Sequence, residues 1–106
     1  MVEIKAIIRR EKVCEVKNEL KKVGVHGFTH WNVMGHGKQN GLLINGMQYD
    51  DLPKEFVYIV AEDRLKTAIV TTIIKIARTI ESGKAGDGRI FVSYIDEGYT
   101  ISQSVL

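Results

Sequence analysis

A single cysteine in 106 residues, Cys14, leaves no room for an internal disulfide framework or a multi-cysteine metal site. It lies beside apolar residues at helical spacing and reads as inert packing rather than a reactive thiol. Long apolar runs are missing as well. None approaches the roughly 20 residues needed to cross a bilayer, so no membrane insertion is expected. The start, Met1-Val2-Glu3-Ile4-Lys5, alternates polar with apolar and lacks a signal-peptide core, which points to a cytoplasmic protein. Charge of one sign is not in excess: 15 Lys and Arg stand against 13 Asp and Glu, a formal +2. Those cations are spread along the chain, without the basic face of a duplex DNA binder. No nucleophile–base–orienter set can be assembled, and the G-x-x-x-x-G-K-[ST] phosphate loop is absent. The histidines His26, His30 and His36 have no carboxylate or cysteine at ligand spacing. They read as solvated or hydrogen-bonded side chains rather than a metal centre.

What remains is an ordinary globular profile, 44% apolar and 26% charged, at the length of one domain. Val2 to Ile8 alternates as a strand, with Ile4, Ala6 and Ile8 on one face and Ile7 on the other. Val13, Val16, Leu20 and Val23 then recur at helical spacing, and Gly24 follows as a C-terminal cap. A second strand runs from Phe28 to Met34, with Thr29, Trp31 and Val33 on one face. A third runs from Glu55 to Ala61, and Pro53 stands just ahead of it. Glu62-Asp63 offers a cap for a second helix whose stripe is Leu65, Ile69, Ile73, Ile76 and Ile80. Arg89 to Ile95 is a fourth strand, and Gly98 to Ile101 is read as a short additional one. The order is an α+β, ferredoxin-like βαββαβ arrangement with an antiparallel sheet. The third strand has apolar residues on both faces: Phe56, Tyr58 and Val60 on one, Val57, Ile59 and Ala61 on the other. A strand wet on one side alternates more cleanly, so helices should cover one face and another subunit the other.

Two glycine-rich segments stand out. Gly35 to Lys54 is longer than a hairpin needs and carries Lys38, Gln39, Tyr49 and Lys54, all capable of specific polar contacts. Ser82 to Gly88 runs into Gly86-Asp87-Gly88-Arg89, where backbone N–H groups with Lys84 or Arg89 could form a concave anion site. Taken alone, each also reads as a plain turn. The two are expected to converge only where subunits meet edge to edge.

Together the segments carry a resemblance. Lys5–Arg9 (K-A-I-I-R), Val23–Thr29 (V-G-V-H-G-F-T), Gly35–Gly41 (G-H-G-K-Q-N-G), Leu52–Lys54 (L-P-K) and Gly86–Ser93 (G-D-G-R-I-F-V-S) fall in one order. In that order the chain resembles the PII nitrogen-regulatory family over nearly its whole length. The shortened loop before Leu52-Pro53-Lys54 is similar to the nitrogenase-controlling branch of archaea and anaerobic bacteria. The resemblance implies a single PII-like domain over 1–106 and a mobile effector loop over 36–53. It further implies a homotrimer, or one mixed with a paralogue, with ATP or ADP between subunits. Sensing of 2-oxoglutarate through ATP and Mg²⁺ and control of a target by contact follow from it. Nitrogenase is the first candidate target, then an ammonium channel or glutamine synthetase; no nucleic acid is implied.

Carried over by position, the resemblance gives Ile7, Thr29 and Val60 to the adenine and ribose side. Gly35, Gly37 and Lys38 approach the phosphates from one subunit, Lys84 helps, and Gly86, Asp87, Gly88 and Arg89 supply backbone N–H groups and charge. Gln39 holds Mg²⁺ and, with Lys54, the 2-oxoglutarate; a dianion beside a triphosphate needs such cations to offset repulsion. Tyr49 stands where relatives carry a nucleotidylated tyrosine. The chain departs from the family pattern at Arg10, usually proline, and in a longer stretch between Thr79 and Gly86. Where the family has phosphate-closing arginines, this chain reads Tyr99-Thr100-Ile101-Ser102-Gln103, a loss of roughly 1.5–3 kcal/mol for each missing charge-assisted bond. Two other readings stay open on the residues. One is an RNA-binding ferredoxin-like module, from Gly88-Arg89-Ile90-Phe91-Val92. The other is a nucleotide phosphotransferase using His30 or His36.

Overall fold

The computed structural model describes residues 1–36, 42–44, 47–49 and 51–103, with backbone alone for 42–44 and 47–49. The elements are β1 (Val2–Arg9), α1 (Val13–Lys22), β2 (Thr29–His36), β3 (Leu42–Ile44), β4 (Met47–Tyr49), β5 (Asp51–Ala61), α2 (Lys66–Ala77) and β6 (Gly88–Tyr94). A single 3₁₀ turn, Arg10–Lys12 and Asp63–Leu65, leads into each helix. The main sheet has the order β2-β5-β1-β6 with antiparallel pairs throughout, and β3 pairs with β4 as a separate hairpin. This is the ferredoxin-like α+β arrangement that the order of elements implied.

The two-residue period of β1 decides which side of the sheet the helices take. Val2, Ile4, Ala6 and Ile8 are buried, as are Val57 and Ile59 beside them on β5. Val16 and Leu20 of α1 and Ile69, Ile73 and Ala77 of α2 close over that face. Burying each such aliphatic side chain is worth about 1.5–3 kcal/mol. The opposite face stays open and is rich in rings: Trp31 stacks on Phe56 at 4.6 Å between centroids, while Val60 and Phe91 are exposed. Near them the Tyr58 hydroxyl donates to Glu3 at 2.5 Å. That bond lowers the Glu3 carboxyl and raises the Tyr58 phenol from their ordinary values.

Several expectations are corrected. Cys14 is exposed, because one helical step of 100° carries it off the Val13–Val16–Leu20 stripe. The second helix ends at Ala77, where Arg78 turns extended (φ −64°, ψ 137°), so Ile80 falls outside the stripe and is exposed. Neither Glu62 nor Asp63 caps α2 with its side chain; Asp63 instead meets the Met1 ammonium at 2.5 Å. Gly98 to Ile101 forms no strand, and the chain there turns, with Gln103 N–H donating to Thr100 O at 3.0 Å. Strands β2 and β5 run further than their apolar patterns, pairing as far as His36 with Asp51. Pro53 therefore lies inside β5, opposite Met34. It is tolerated because β1 reaches only Lys54, so no strand asks for its N–H on that side.

Candidate functional site: a lysine-centred junction at one end of the sheet

Arg9 and Lys54 are direct neighbours in the β1–β5 register, which sets two cations side by side at one end of the sheet. Lys54 is only 5% exposed, and its ammonium donates to the Gly86 carbonyl. Burial, and then the Arg9 charge, lower its pKa from the ordinary lysine value, against the pull of Glu11 and Asp87. The stem of Lys54 lies across Gly35, where an added Cβ would come within 2.9 Å of Lys54 Cγ. Glycine at 35 is thus what lets the lysine lie flat and reach the turn before β6. Gly35→Ala is expected to cost about 1–2 kcal/mol through that overlap and to pull the ammonium off Gly86. A chemical melt together with the ¹⁵N shift of Lys54 Nζ measures both.

The turn itself is held by Asp87. Its Oδ1 accepts from Arg9 Nε at 3.1 Å and from the Thr79 hydroxyl at 3.0 Å. Its Oδ2 accepts from the backbone N–H of Lys84 at 2.7 Å and of Thr79 at 3.4 Å. Arg9 also donates to Ala85 O at 3.0 Å. Burial works to raise the Asp87 carboxyl, but the bonds from Lys84, Arg9 and Thr79 outweigh it and hold the pKa below the usual carboxylate range. Asp87 is therefore a staple of the turn, with its acceptors already filled. Gly86 and Gly88 supply the left-handed backbone the turn needs, at φ 94° and 118°.

The root of the 37–50 segment is fixed from the other side by Arg10, which donates to Val33 O and Lys54 O at 3.3 Å each. Buried Glu55 sits against His30 Nδ1 at 2.5 Å and within 3.8 Å of Arg10 Nε. His36 meets Asp51 at 3.1 Å on the same ladder. Each of these histidines thus has a carboxylate partner after all, supplied across the strand pair. Among the described residues no group of three or more His, Cys, Asp or Glu could hold a metal ion. Glu55→Gln should lower stability by about 1–2 kcal/mol in urea melts, because His30 loses its carboxylate partner and Arg10 the negative charge beside it.

The residues implied by resemblance divide into groups. Gly35, Lys54, Gly86, Asp87 and Gly88 gather at the junction, so the two glycine segments converge within one chain, contrary to the expectation that they need a subunit edge. Ile7 and Arg89 stand opposite each other in the β1–β6 register on the open face, where the Arg89 guanidinium lies 5.7 Å from the Phe91 ring centre. Thr29 and Val60 belong to the far end of β2 and β5, about 20 and about 26 Å along the ladder from Gly35 at ~3.3 Å per residue. Lys84 contributes its backbone N–H to Asp87 and lines a cavity of about 610 Å³ between α2 and β6. Gly37, Lys38 and Gln39 lie outside the described residues, as does the side chain of Tyr49. Sequence reasoning missed Arg9 and Glu55, whose only signal was a charged residue at a strand end.

The junction is basic, glycine-lined and set at the end of a ferredoxin-like sheet. The chain belongs to the family described as nitrogen regulatory protein P-II, whose model matches residues 1–104. It is 46% identical to "Nitrogen regulatory protein P-II 2" of Methanothermobacter thermautotrophicus, covering 92% of this chain and 85% of that one. It is 44% identical to "Nitrogen fixation nifHD1 region GlnB-like protein 1" of Methanosarcina barkeri. To "Nitrogen fixation nifHD region glnB-like protein 1" of Methanococcus maripaludis it is 41% identical. Each of these two matches covers 92% of this chain and 90% of the relative. The relatives' names agree with the nitrogen-fixation branch that the short loop resembles. Among the described residues no helix is long and apolar enough to cross a membrane.

Proposed function

We propose that this protein senses ATP or ADP, with Mg²⁺ and 2-oxoglutarate, and regulates a nitrogen-metabolism target by contact through residues 36–53. It acts by binding alone, without a reaction of its own. Nitrogenase is the target we favour, because relatives at 41% and 44% identity carry nitrogen-fixation names; an ammonium channel or glutamine synthetase comes next. The observation that carries the reading is Lys54. A buried cation tied to both Gly35 and the Gly86 turn feels any anion placed there and directly follows the 36–53 segment. An anion at the junction would restore the charge balance that burial and Arg9 disturb, and the gain would reach the root of the segment through the β2–β5 ladder.

The spacing of the remaining residues supports a shared site. Thr29 and Val60 are too far from Gly35 and Gly86 for one nucleotide to touch both groups in a single chain. A second copy that brings its Thr29 end to this junction would complete the site, and the ring-rich open face offers a surface for it. We therefore propose a homotrimer, or one mixed with a paralogue, in the cytoplasm.

Isothermal titration with ATP, ADP and 2-oxoglutarate, each with and without Mg²⁺, tests the sensing role. Binding of 2-oxoglutarate only in the presence of MgATP is the expected result. No heat with any of the three removes the proposal, and steady ATP turnover well above background would replace it with an enzyme.

A further inference from the structure

The cavity between α2 and β6 lies on the helix side of the sheet, away from the open face, and shares with the Lys54 junction the turn before β6. Its floor and walls are apolar, formed by Ile8, Ile73, Ile74, Ala77, Ile90 and Val92. Ile74 and Val92 remain 39% and 40% exposed, because among the described residues β6 is an edge strand of the sheet. At about 610 Å³ the space falls within the range of about 300–1,000 Å³ typical of small-molecule sites. Its polar end is cationic: Arg78 and Lys84 line it against one carboxylate, Asp87, while the Arg89 guanidinium lies over Phe91 on the open face. That carboxylate is already neutralised by Arg9 at 3.1 Å. Arg78 is steadied by a bond from one guanidinium nitrogen to Glu81 O at 3.0 Å.

We propose that this groove binds a small amphipathic anion. An aromatic or aliphatic body would lie on Ile73, Ile90 and Val92, and a single acid group would meet Lys84 and Arg78. A triphosphate with its ribose suits these walls poorly, since most of their area is hydrocarbon and buried polar groups without partners are costly. The groove is accordingly a second site, bordering the turn whose Gly86 carbonyl meets Lys54 but not lined by Lys54 itself.

The test is a fluorescence titration of the full chain with 8-anilinonaphthalene-1-sulfonate, an amphipathic monoanion, with and without saturating MgATP. The expected result is saturable binding of one probe per chain, unchanged by MgATP. Lys84→Glu should weaken it about tenfold, as loss of one charge-assisted contact does. Val92→Glu should weaken it at least as much, while Lys75→Glu, on α2 but outside this cavity, leaves it unchanged. Thermal melts of each variant separate lost binding from lost fold, and Lys84→Glu, on an exposed turn, keeps the test decisive if Val92→Glu fails to fold. Three outcomes overturn the inference: displacement of the probe by MgATP, equal weakening in all three variants, or binding that never saturates.

Discussion

Gly88→Ala is expected to lower the melting temperature by roughly 15 °C or more. A Cβ built at position 88 would lie 1.7 Å from the carbonyl oxygen of Ile7 and 2.8 Å from its carbon, inside any van der Waals limit. Both atoms belong to the backbone of β1, so no side chain can swing aside to make room. The residue also holds φ 118°, which side-chain-bearing residues adopt only at about 1–3 kcal/mol. Overpacking adds another 1–3 kcal/mol, for a total of about 4 kcal/mol, a large share of the 5–15 kcal/mol that holds a typical domain together. At about 4 °C per kcal/mol for this size, the melting shift follows. Two other glycines calibrate the scale. Gly24 has φ 100° and meets only Leu65 Cδ1 at 3.9 Å, while Gly27 has nothing within 4 Å. Gly24→Ala should therefore cost about 1 kcal/mol, and Gly27→Ala almost nothing. Differential scanning calorimetry of the three variants checks the ranking, and a Gly88→Ala protein melting within a few degrees of the parent would refute it.

Asp87→Asn is expected to cost about 2–4 kcal/mol and to change how the protein responds to acid. The carboxylate receives donors on both oxygens, two of them from Arg9 and Lys84. Asparagine keeps one oxygen and turns an NH₂ toward the remaining donors, leaving them unsatisfied and Arg9 without its counter-ion. The acid response follows from the lowered pKa. Between the folded-state value and the ordinary 3.8, the unfolded chain binds the proton that the folded chain refuses. Stability therefore rises with pH through that window. The contribution of Asp87 is fully present above the ordinary value and disappears as pH falls through the folded one. The parent should lose stability steeply in acid, and Asp87→Asn should show a flatter slope below pH about 4 in urea melts at stepped pH. Parallel slopes would mean that Asp87 is not the group holding the turn.

The fold was legible in the chain because its cues are local. Ile4, Ala6 and Ile8 alternate, Val16 and Leu20 repeat at helical spacing, and Gly24 carries the positive φ of a cap. Errors came where a local pattern ran past its physical support. Ile80 continues the helical stripe in sequence, but Arg78 has already left helical geometry. The ladder from Met34 to His36 has no apolar alternation to announce it and exists because β5 lies alongside. Cys14 was misplaced by one helical step.

The candidate site was half legible. Gly35, Lys54 and Gly86 to Arg89 were identifiable by their motifs, which is a property of the string of residues. Their meeting at one point was not, since it depends on Arg9 pairing with Lys54 across two strands that are 45 residues apart in sequence. The role of Asp87 changed for the same reason: its donors come from β1, from Thr79 just beyond α2 and from its own turn, and no spacing rule gathers those three. Periodicity and backbone-permissive glycines determined the βαββαβ order from sequence alone, because they act between neighbours. Which charges are buried together, and which apolar walls are left uncovered beside β6, was decided only in three dimensions, where strand register sets the distances on which electrostatics and desolvation depend.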